Sequence, residues 1–172
     1  MATRAGRLTP LGAAARGVLA GALGTVAMDL LWFWRYKRGG GQSRFVDWEF
    51  SVGLNAWDTA PAPARLGKQL YEGFFQRELP AERARLTNNV MHWGYGLGWG
   101  ALYGLVAGST RHRPVRFGLV FGPIVWTFDY IVLPQAKLYK PIWEYDLPTL
   151  WKDLSAHLVY GVTAAAVFRA QS

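Results

Sequence analysis

The feature that most constrains this sequence is an uncharged stretch at residues 88–108, which reads NNVMHWGYGLGWGALYGLVAG. Six of its positions are glycine, and its one acidic or basic side chain is His92. Glycine weakens a helix in water. In lipid, however, a helix keeps its backbone hydrogen-bonded internally, and small residues let helices approach closely. The stretch therefore predicts a membrane-spanning helix that packs through its glycines.

Three further apolar runs accompany this one, and all have about the length that a membrane requires. The four runs are residues 17–34, 86–110, 117–136 and 151–168. Even the shortest would rise about 27 Å as a helix, close to the thickness of a hydrocarbon core. Basic residues bound the first three runs: Arg16 and Arg35 bound the first, Arg85 and Arg111 the second, and Arg116 and Lys137 the third. We predict an all-α integral membrane bundle of four transmembrane helices in a single domain, residues 1–172.

Two other interpretations of these runs fit less well. A cleaved signal peptide at the first run is disfavoured by its length and by the lack of a small-x-small cleavage site after it. A soluble helical protein is disfavoured because four helices with so few polar residues would leave little surface to meet water. The net charge of +8 does not indicate nucleic-acid binding, since the basic residues punctuate the apolar runs instead of forming one patch. The membrane side of each loop stays unassigned, because counts and densities of Lys and Arg disagree.

The connection between the first two runs, residues 35–85, is predicted to contain a short amphipathic helix. Leu66, Leu70 and Phe74 share one side of it, whereas Lys68 and Glu72 lie on the other. Such a helix suits the membrane interface. Packing against the rest of the protein is the equal alternative.

The two halves of the sequence share several features in the same order. The motif H-x-x-Y-G begins at His92 and again at His157, and a G-x-x-x-G motif precedes both Asp29 and Asp129. The connections WDTAPAP and WEYDLP are also alike. These features predict a duplicated helical hairpin, with repeat 1 at residues 14–110 and repeat 2 at residues 114–170.

Glycines recur at four-residue spacing along the predicted helices, which allows close helix contact in lipid. The glycines predicted to mediate helix packing are Gly17, Gly21, Gly96, Gly100, Gly104, Gly108, Gly118, Gly122 and Gly161. These grooves serve either packing within the chain or association with a second copy or a partner membrane protein.

Four ionisable residues are predicted at one level of the membrane. Asp29 and Asp129 lie late in the first and third helices, and His92 and His157 lie early in the second and fourth. Because successive helices are antiparallel, all four belong to the same leaflet, and their spacing from small residues turns them towards the bundle. Charged groups in a membrane are costly and indicate a functional site by default.

Three interpretations of these four residues stay open. They form two hydrogen-bonded Asp–His pairs that fix helix register, one in each repeat, or a proton or cation relay, or a site for a divalent metal ion or for a haem held by the two histidines. Aromatic residues crowd the same side and form either a belt at the headgroups or a cap over the polar residues. They are Trp32, Trp34, Tyr36, Trp48, Trp57, Tyr139, Trp143, Tyr145 and Trp151.

The run H-x-x-Y-G-x-x-x-G-x-x-Y-G, from His92 to Gly104, resembles small bacterial inner-membrane proteins of the YagU-like family. The element Pro63-Ala64-Arg65 is similar to a proline and arginine element that precedes the same helix in that family. The resemblance implies a multi-pass protein of the bacterial inner membrane.

The sequence contains no G-x-S-x-G, P-loop, Cys/His zinc spacing or dinucleotide fingerprint, so we do not expect an enzyme. The leading hypothesis is a membrane protein that handles protons or cations through the Asp/His cluster. The alternatives are a structural or assembly subunit that packs through its glycines, and a metal- or haem-binding protein. The expected partners are the lipid bilayer and either a second copy of the chain or another membrane protein, and we do not expect nucleic acid. We expect no cofactor, apart from the haem or divalent metal ion of the last alternative.

Overall fold

The structure is a computed structural model that describes residues 8–110 and 115–171, and this part of the chain is helical without β-strands. The α-helices are α1 (Pro10–Arg38), α2 (Phe45–Glu49), α3 (Ala62–Phe75), α4 (Ala84–Ser109), α5 (Gly118–Gln135) and α6 (Leu147–Ala170). The predicted all-α class is confirmed. Arg111, which was expected to bound the second run, lies outside the described residues.

The four long helices, α1, α4, α5 and α6, coincide with the four apolar runs, and α1 and α6 extend beyond their runs at both ends. α1 begins at Pro10, where the Thr9 side chain accepts a hydrogen bond from the Gly12 amide at 3.1 Å. α6 begins at Leu147, where the Asp146 carboxylate accepts from the Thr149 amide at 2.8 Å. Capping side chains of this kind satisfy the free amides of a first turn, which is why both helices start before their apolar runs.

Two helical segments of the described chain, Pro10–Arg38 and Val115–Gln135, are long and apolar enough to cross a membrane. α4 and α6 are as long but less apolar. In α4 glycine, tryptophan and tyrosine replace aliphatic residues, and α6 carries Lys152 and Asp153 in its second turn.

Backbone contact without intervening side chains joins α1 to α4. A Cβ added at Gly17 would lie 2.9 Å from the Cα of Gly104, and one added at Gly21 would lie 2.9 Å from the Cα of Gly100. Gly96 lies against Thr25, and Gly108 lies against Ala13 of α1. Separations this short exclude any side chain at these positions, so Gly96, Gly100, Gly104 and Gly108 of α4 pack within the chain.

The α5 and α6 helices meet in the same way. A Cβ at Gly118 would lie 2.6 Å from the Cα of Val162 on α6, and one at Gly122 would lie 3.1 Å from the Cα of Leu158. Gly161 of α6 faces Gly118 and Gly122 in turn. The chain therefore contains two helix pairs, α1 with α4 and α5 with α6, each held by direct backbone contact.

Side chains connect these two helix pairs. Tyr160 of α6 is buried, lies against Gly24 of α1 and donates a hydrogen bond to the Gly96 carbonyl of α4 at 2.6 Å. Arg35 of α1 donates to the Lys152 carbonyl at 2.7 Å and to the Ser155 hydroxyl at 2.8 Å, both on α6. A basic residue expected at the end of a span thus also fastens α1 to α6.

A helix, α3, is present in the first loop where the amphipathic pattern predicted one. Ala64 and Gly67 are buried, and Gly67 lies against Thr87 and Met91 of α4. On the outer side, Phe74 is 80% exposed and Phe75 is 63% exposed. The small residues therefore face the protein, and the large apolar residues near the end of α3 point away from it.

Candidate functional site

The four ionisable residues predicted at one level form two Asp/His pairs. One lies between α1 and α4, and the other lies between α5 and α6. Asp29 of α1 and His92 of α4 form the first pair, with 2.9 Å between Oδ2 and Nε2. Asp129 of α5 and His157 of α6 form the second pair, with 3.2 Å between the corresponding atoms. This is the pairing given by the interpretation of two hydrogen-bonded pairs, one in each repeat.

The second pair has hydrogen bonds that fix its proton content. His157 Nδ1 lies 2.9 Å from the Asp153 carbonyl oxygen, which can only accept, so Nδ1 carries a proton. The Nε2 to Oδ2 contact then needs a proton of its own, held by either the imidazole or the carboxyl group. Tyr95 of α4 donates a further hydrogen bond to the other oxygen of Asp129. The second pair is therefore a place where one exchangeable proton resides.

A third acidic residue, Glu49, lies beside the first pair. Glu49 ends the short helix α2 and is 7% exposed, while Asp29 is 4% exposed. Ligand atoms of Asp29, Glu49 and His92 all lie within 4.8 Å of one another, an arrangement that can hold a metal ion. Glu49 Oε1 has no hydrogen-bond partner among residues 8–110 and 115–171. A buried carboxylate oxygen without a donor is costly unless something binds it.

Polar side chains of α4 form hydrogen bonds with Phe50 and Ser51, the residues that follow Glu49 at the end of α2. Arg85 Nε and Asn89 Nδ2 donate to the Phe50 carbonyl at 3.0 and 3.1 Å. Asn88 Nδ2 donates to the Ser51 hydroxyl at 2.9 Å. These contacts come from the turns of α4 that precede His92, so the end of α2 is tied beside the first pair.

Burial, followed by the charge of nearby Asp29, raises the pKa of Glu49 from 4.5 to about 7. The folded protein thus keeps a proton that the unfolded chain has already released between these two values. We expect chelator-treated protein to lose stability as pH rises through this window, because protonation there favours the folded state. Thermal unfolding at a series of pH values would measure this loss.

Glu49→Gln should flatten that part of the stability profile, since the amide does not titrate. Asp47→Asn changes an exposed carboxylate on the same helix and should leave the profile intact. An undiminished slope in Glu49→Gln would contradict the assignment of the slope to Glu49.

Both pairs border one cavity of about 300 Å³ between the helices. Asp29, His92, Asp129 and His157 all line it. Further lining residues are Tyr95, Trp99 and Tyr160 from the long helices and Ala62, Pro63 and Leu66 from α3. The arrangement places two carboxylates and two imidazoles around a space large enough for several water molecules or a hydrated ion.

Five of the nine aromatic residues expected at this level fall into two groups. Trp32 and Tyr139 line the cavity and so help to cover the polar residues. Trp34, Trp143 and Trp151 are 51%, 81% and 62% exposed and point away from the helices. Trp32 and Tyr139 therefore fit the predicted cap, and the belt at the headgroups stays a prediction.

Sequence reasoning missed three residues of the site. Tyr95 was visible in the H-x-x-Y-G motif, whose tyrosine lies one turn after the histidine, yet no role was predicted for it. Asp153 lies four residues before His157, one helical turn away, yet no role was predicted for it. Glu49 had one indication, an acidic residue inside the aromatic stretch FVDWEF.

Comparison with known proteins adds no identity: no family model, no curated protein and no solved structure matches this chain. The resemblance to YagU-like proteins stays a prediction from its motifs. The function must therefore be argued from the site.

Proposed function

We propose that this protein crosses the bacterial inner membrane with α1, α4, α5 and α6 and handles small cations, protons or metal ions, in the cavity between its two Asp/His pairs. The observation that carries this proposal is the single cavity of about 300 Å³ that all four predicted residues line. Carboxylates and imidazoles exchange protons and bind cations, and inside a membrane they are retained chiefly for such roles.

Outward-facing apolar side chains support a membrane location for three of the four helices. Several large aliphatic residues on α1, α4 and α5 are more than half exposed, namely Leu11, Leu19, Val106, Leu119, Val120 and Ile131. In water such a surface would promote aggregation, whereas in a bilayer it faces lipid. Phe74 and Phe75 of α3 extend the apolar surface and suit the membrane interface.

The two alternative functions have less support from the contacts. The glycines that suggested an assembly subunit lie against other helices of the same chain, which leaves them unavailable to a partner. The histidine nitrogens that a haem iron would need, Nε2 of His92 and of His157, each face an aspartate of their own pair. We therefore rank cation handling first.

Ion flux into proteoliposomes tests the proposal. Full-length protein would be reconstituted, and proton entry would be followed with a trapped pH-sensitive dye and divalent metal entry with trapped calcein. We expect flux of at least one of these ions, and we expect Asp29→Asn and Asp129→Asn to reduce it at least about tenfold, because each removes a charge that borders the cavity.

Asp58→Asn is the matched control, since Asp58 is an exposed carboxylate in the first loop. It should leave flux unchanged. If the wild type passes neither ion, or if both cavity variants lose only thermal stability and keep full flux, the pairs serve to hold the helices together and the proposal fails.

A further inference from the structure

The first pair and Glu49 form a group that lacks positive charge. Asp29 and Glu49 are both buried, and His92 is the one basic side chain in the three-residue group. Two buried carboxylates beside one imidazole repel each other unless one of them holds a proton or a cation lies between them. The unpaired Oε1 of Glu49 is a second, independent indication, because it is an acceptor inside the protein without a donor from the described residues.

We infer that Asp29, Glu49 and His92 bind one divalent transition-metal ion, of the class of Mn²⁺, Fe²⁺ or Zn²⁺. The inference rests on the proposed function in that it names the cation which this part of the cavity takes. One imidazole nitrogen with carboxylate oxygens suits these ions, whereas Ca²⁺ and Mg²⁺ prefer all-oxygen sites and Cu⁺ prefers sulfur.

The distances are compatible with such an ion after a small movement. Metal–ligand bonds of about 2.0–2.2 Å place neighbouring tetrahedral ligands about 3.3 Å apart. His92 Nε2 and Asp29 Oδ2, at 2.9 Å, need to separate only slightly, and all three ligand atoms already lie within 4.8 Å. Water or a further ligand would fill the remaining coordination from the cavity, which Asp29 and His92 line.

The second pair, Asp129 and His157, has a different arrangement of carboxylates, so the inferred metal site belongs to the first half of the protein only. His157 Nδ1 faces the Asp153 carbonyl, and Tyr95 donates to Asp129, so both members of the second pair already have partners. Asp153 approaches His157 at Nδ1, with 3.6 Å to its Oδ1, and therefore on the opposite side of the ring from Asp129. The two carboxylates of this half cannot bind an ion together with the same imidazole nitrogen.

Metal binding by the purified full-length protein in detergent tests the inference. After treatment with a chelator, the protein would be titrated with Mn²⁺ or Zn²⁺ in a calorimeter. We expect one ion for each chain in the wild type. Glu49→Gln should weaken binding at least about 100-fold, since loss of even an outer-shell partner costs 10–100-fold. Asp47→Asn, on the exposed side of α2, and Asp129→Asn, in the second pair, should bind like the wild type.

A shorter carboxylate provides a second variant if Glu49→Gln does not fold. Glu49→Asp keeps the charge and should bind one ion more weakly. In the wild type, pulsed EPR of bound Mn²⁺ should show coupling to an imidazole nitrogen that His92→Ala abolishes. The inference is overturned if the wild type binds no ion, if Glu49→Gln binds as tightly as Asp47→Asn, or if the nitrogen coupling survives in His92→Ala.

The failure of this inference differs from the failure of the proposed function. Binding in detergent without flux of any ion in proteoliposomes would support a metal site and reject cation handling. Proton flux that depends on Asp129, in a protein that binds no metal, would support cation handling and reject the metal site.

Discussion

Replacement of Gly100 by alanine is expected to destabilise the protein by about 3 kcal/mol, the upper part of the range for overpacked sites. The added Cβ would lie 2.5 Å from the Cα and 2.7 Å from the amide nitrogen of Gly21. These are backbone atoms, which cannot rotate away as a side chain can, so α1 and α4 must move apart. Thermal unfolding in detergent should show a melting temperature lower by roughly 6–12 °C.

Gly98→Ala is the matched control on the same helix. A Cβ at Gly98 meets no atom within 4 Å, and the residue is exposed. Alanine also favours helix over glycine by up to about 1 kcal/mol, so this variant should be as stable as the wild type or more so. Equal melting temperatures for the two alanine variants would show that α1 and α4 do not touch at Gly100.

Loss of one member of the second pair should cost more than loss of both. His157→Leu leaves the largely buried Asp129 carboxylate with Tyr95 as its remaining partner, and we expect a cost of about 3 kcal/mol. The double variant His157→Leu/Asp129→Leu removes the orphaned charge and should unfold within about 1 kcal/mol of the wild type. The hydroxyl of Tyr95 borders the cavity and can turn to water there.

The measurement is a double-mutant cycle of thermal unfolding in detergent, completed by Asp129→Leu alone. A coupling of at least about 2 kcal/mol is expected for a buried pair in contact. Costs that simply add would mean that the two side chains act independently, and the second pair would then not exist in solution.

The sequence predicted the long helices because length and apolar composition are local properties. It also predicted that Asp29, His92, Asp129 and His157 lie at one level, because in antiparallel helices the end of one helix lies beside the start of the next. It left one pair in each repeat as one of three interpretations, because rotation of each helix about its axis depends on the partner that fills its glycine groove.

The contribution of α2 was beyond sequence reasoning for a different reason. A helix of five residues has no periodicity to detect. Its position depends on hydrogen bonds from Arg85 and Asn89 to the Phe50 carbonyl, and both donors are more than 30 residues away in the sequence. Glu49 therefore reaches the first pair through contacts that no local pattern encodes. The duplicated hairpin stays a prediction, and the two halves differ in that Glu49 comes from a loop and Asp153 from the same helix as His157.

The glycine contacts have a consequence for how the cavity can change its width. Backbones that touch cannot slide or twist past each other, so α1 with α4 and α5 with α6 should each move as one rigid body. Each body carries a complete Asp/His pair, and the bodies meet where Gly24 of α1 lies against the ring and carbonyl oxygen of Tyr160, and where Tyr95 contacts Asp129. Rocking of one body against the other would then widen or close the space between the pairs while both pairs stay intact.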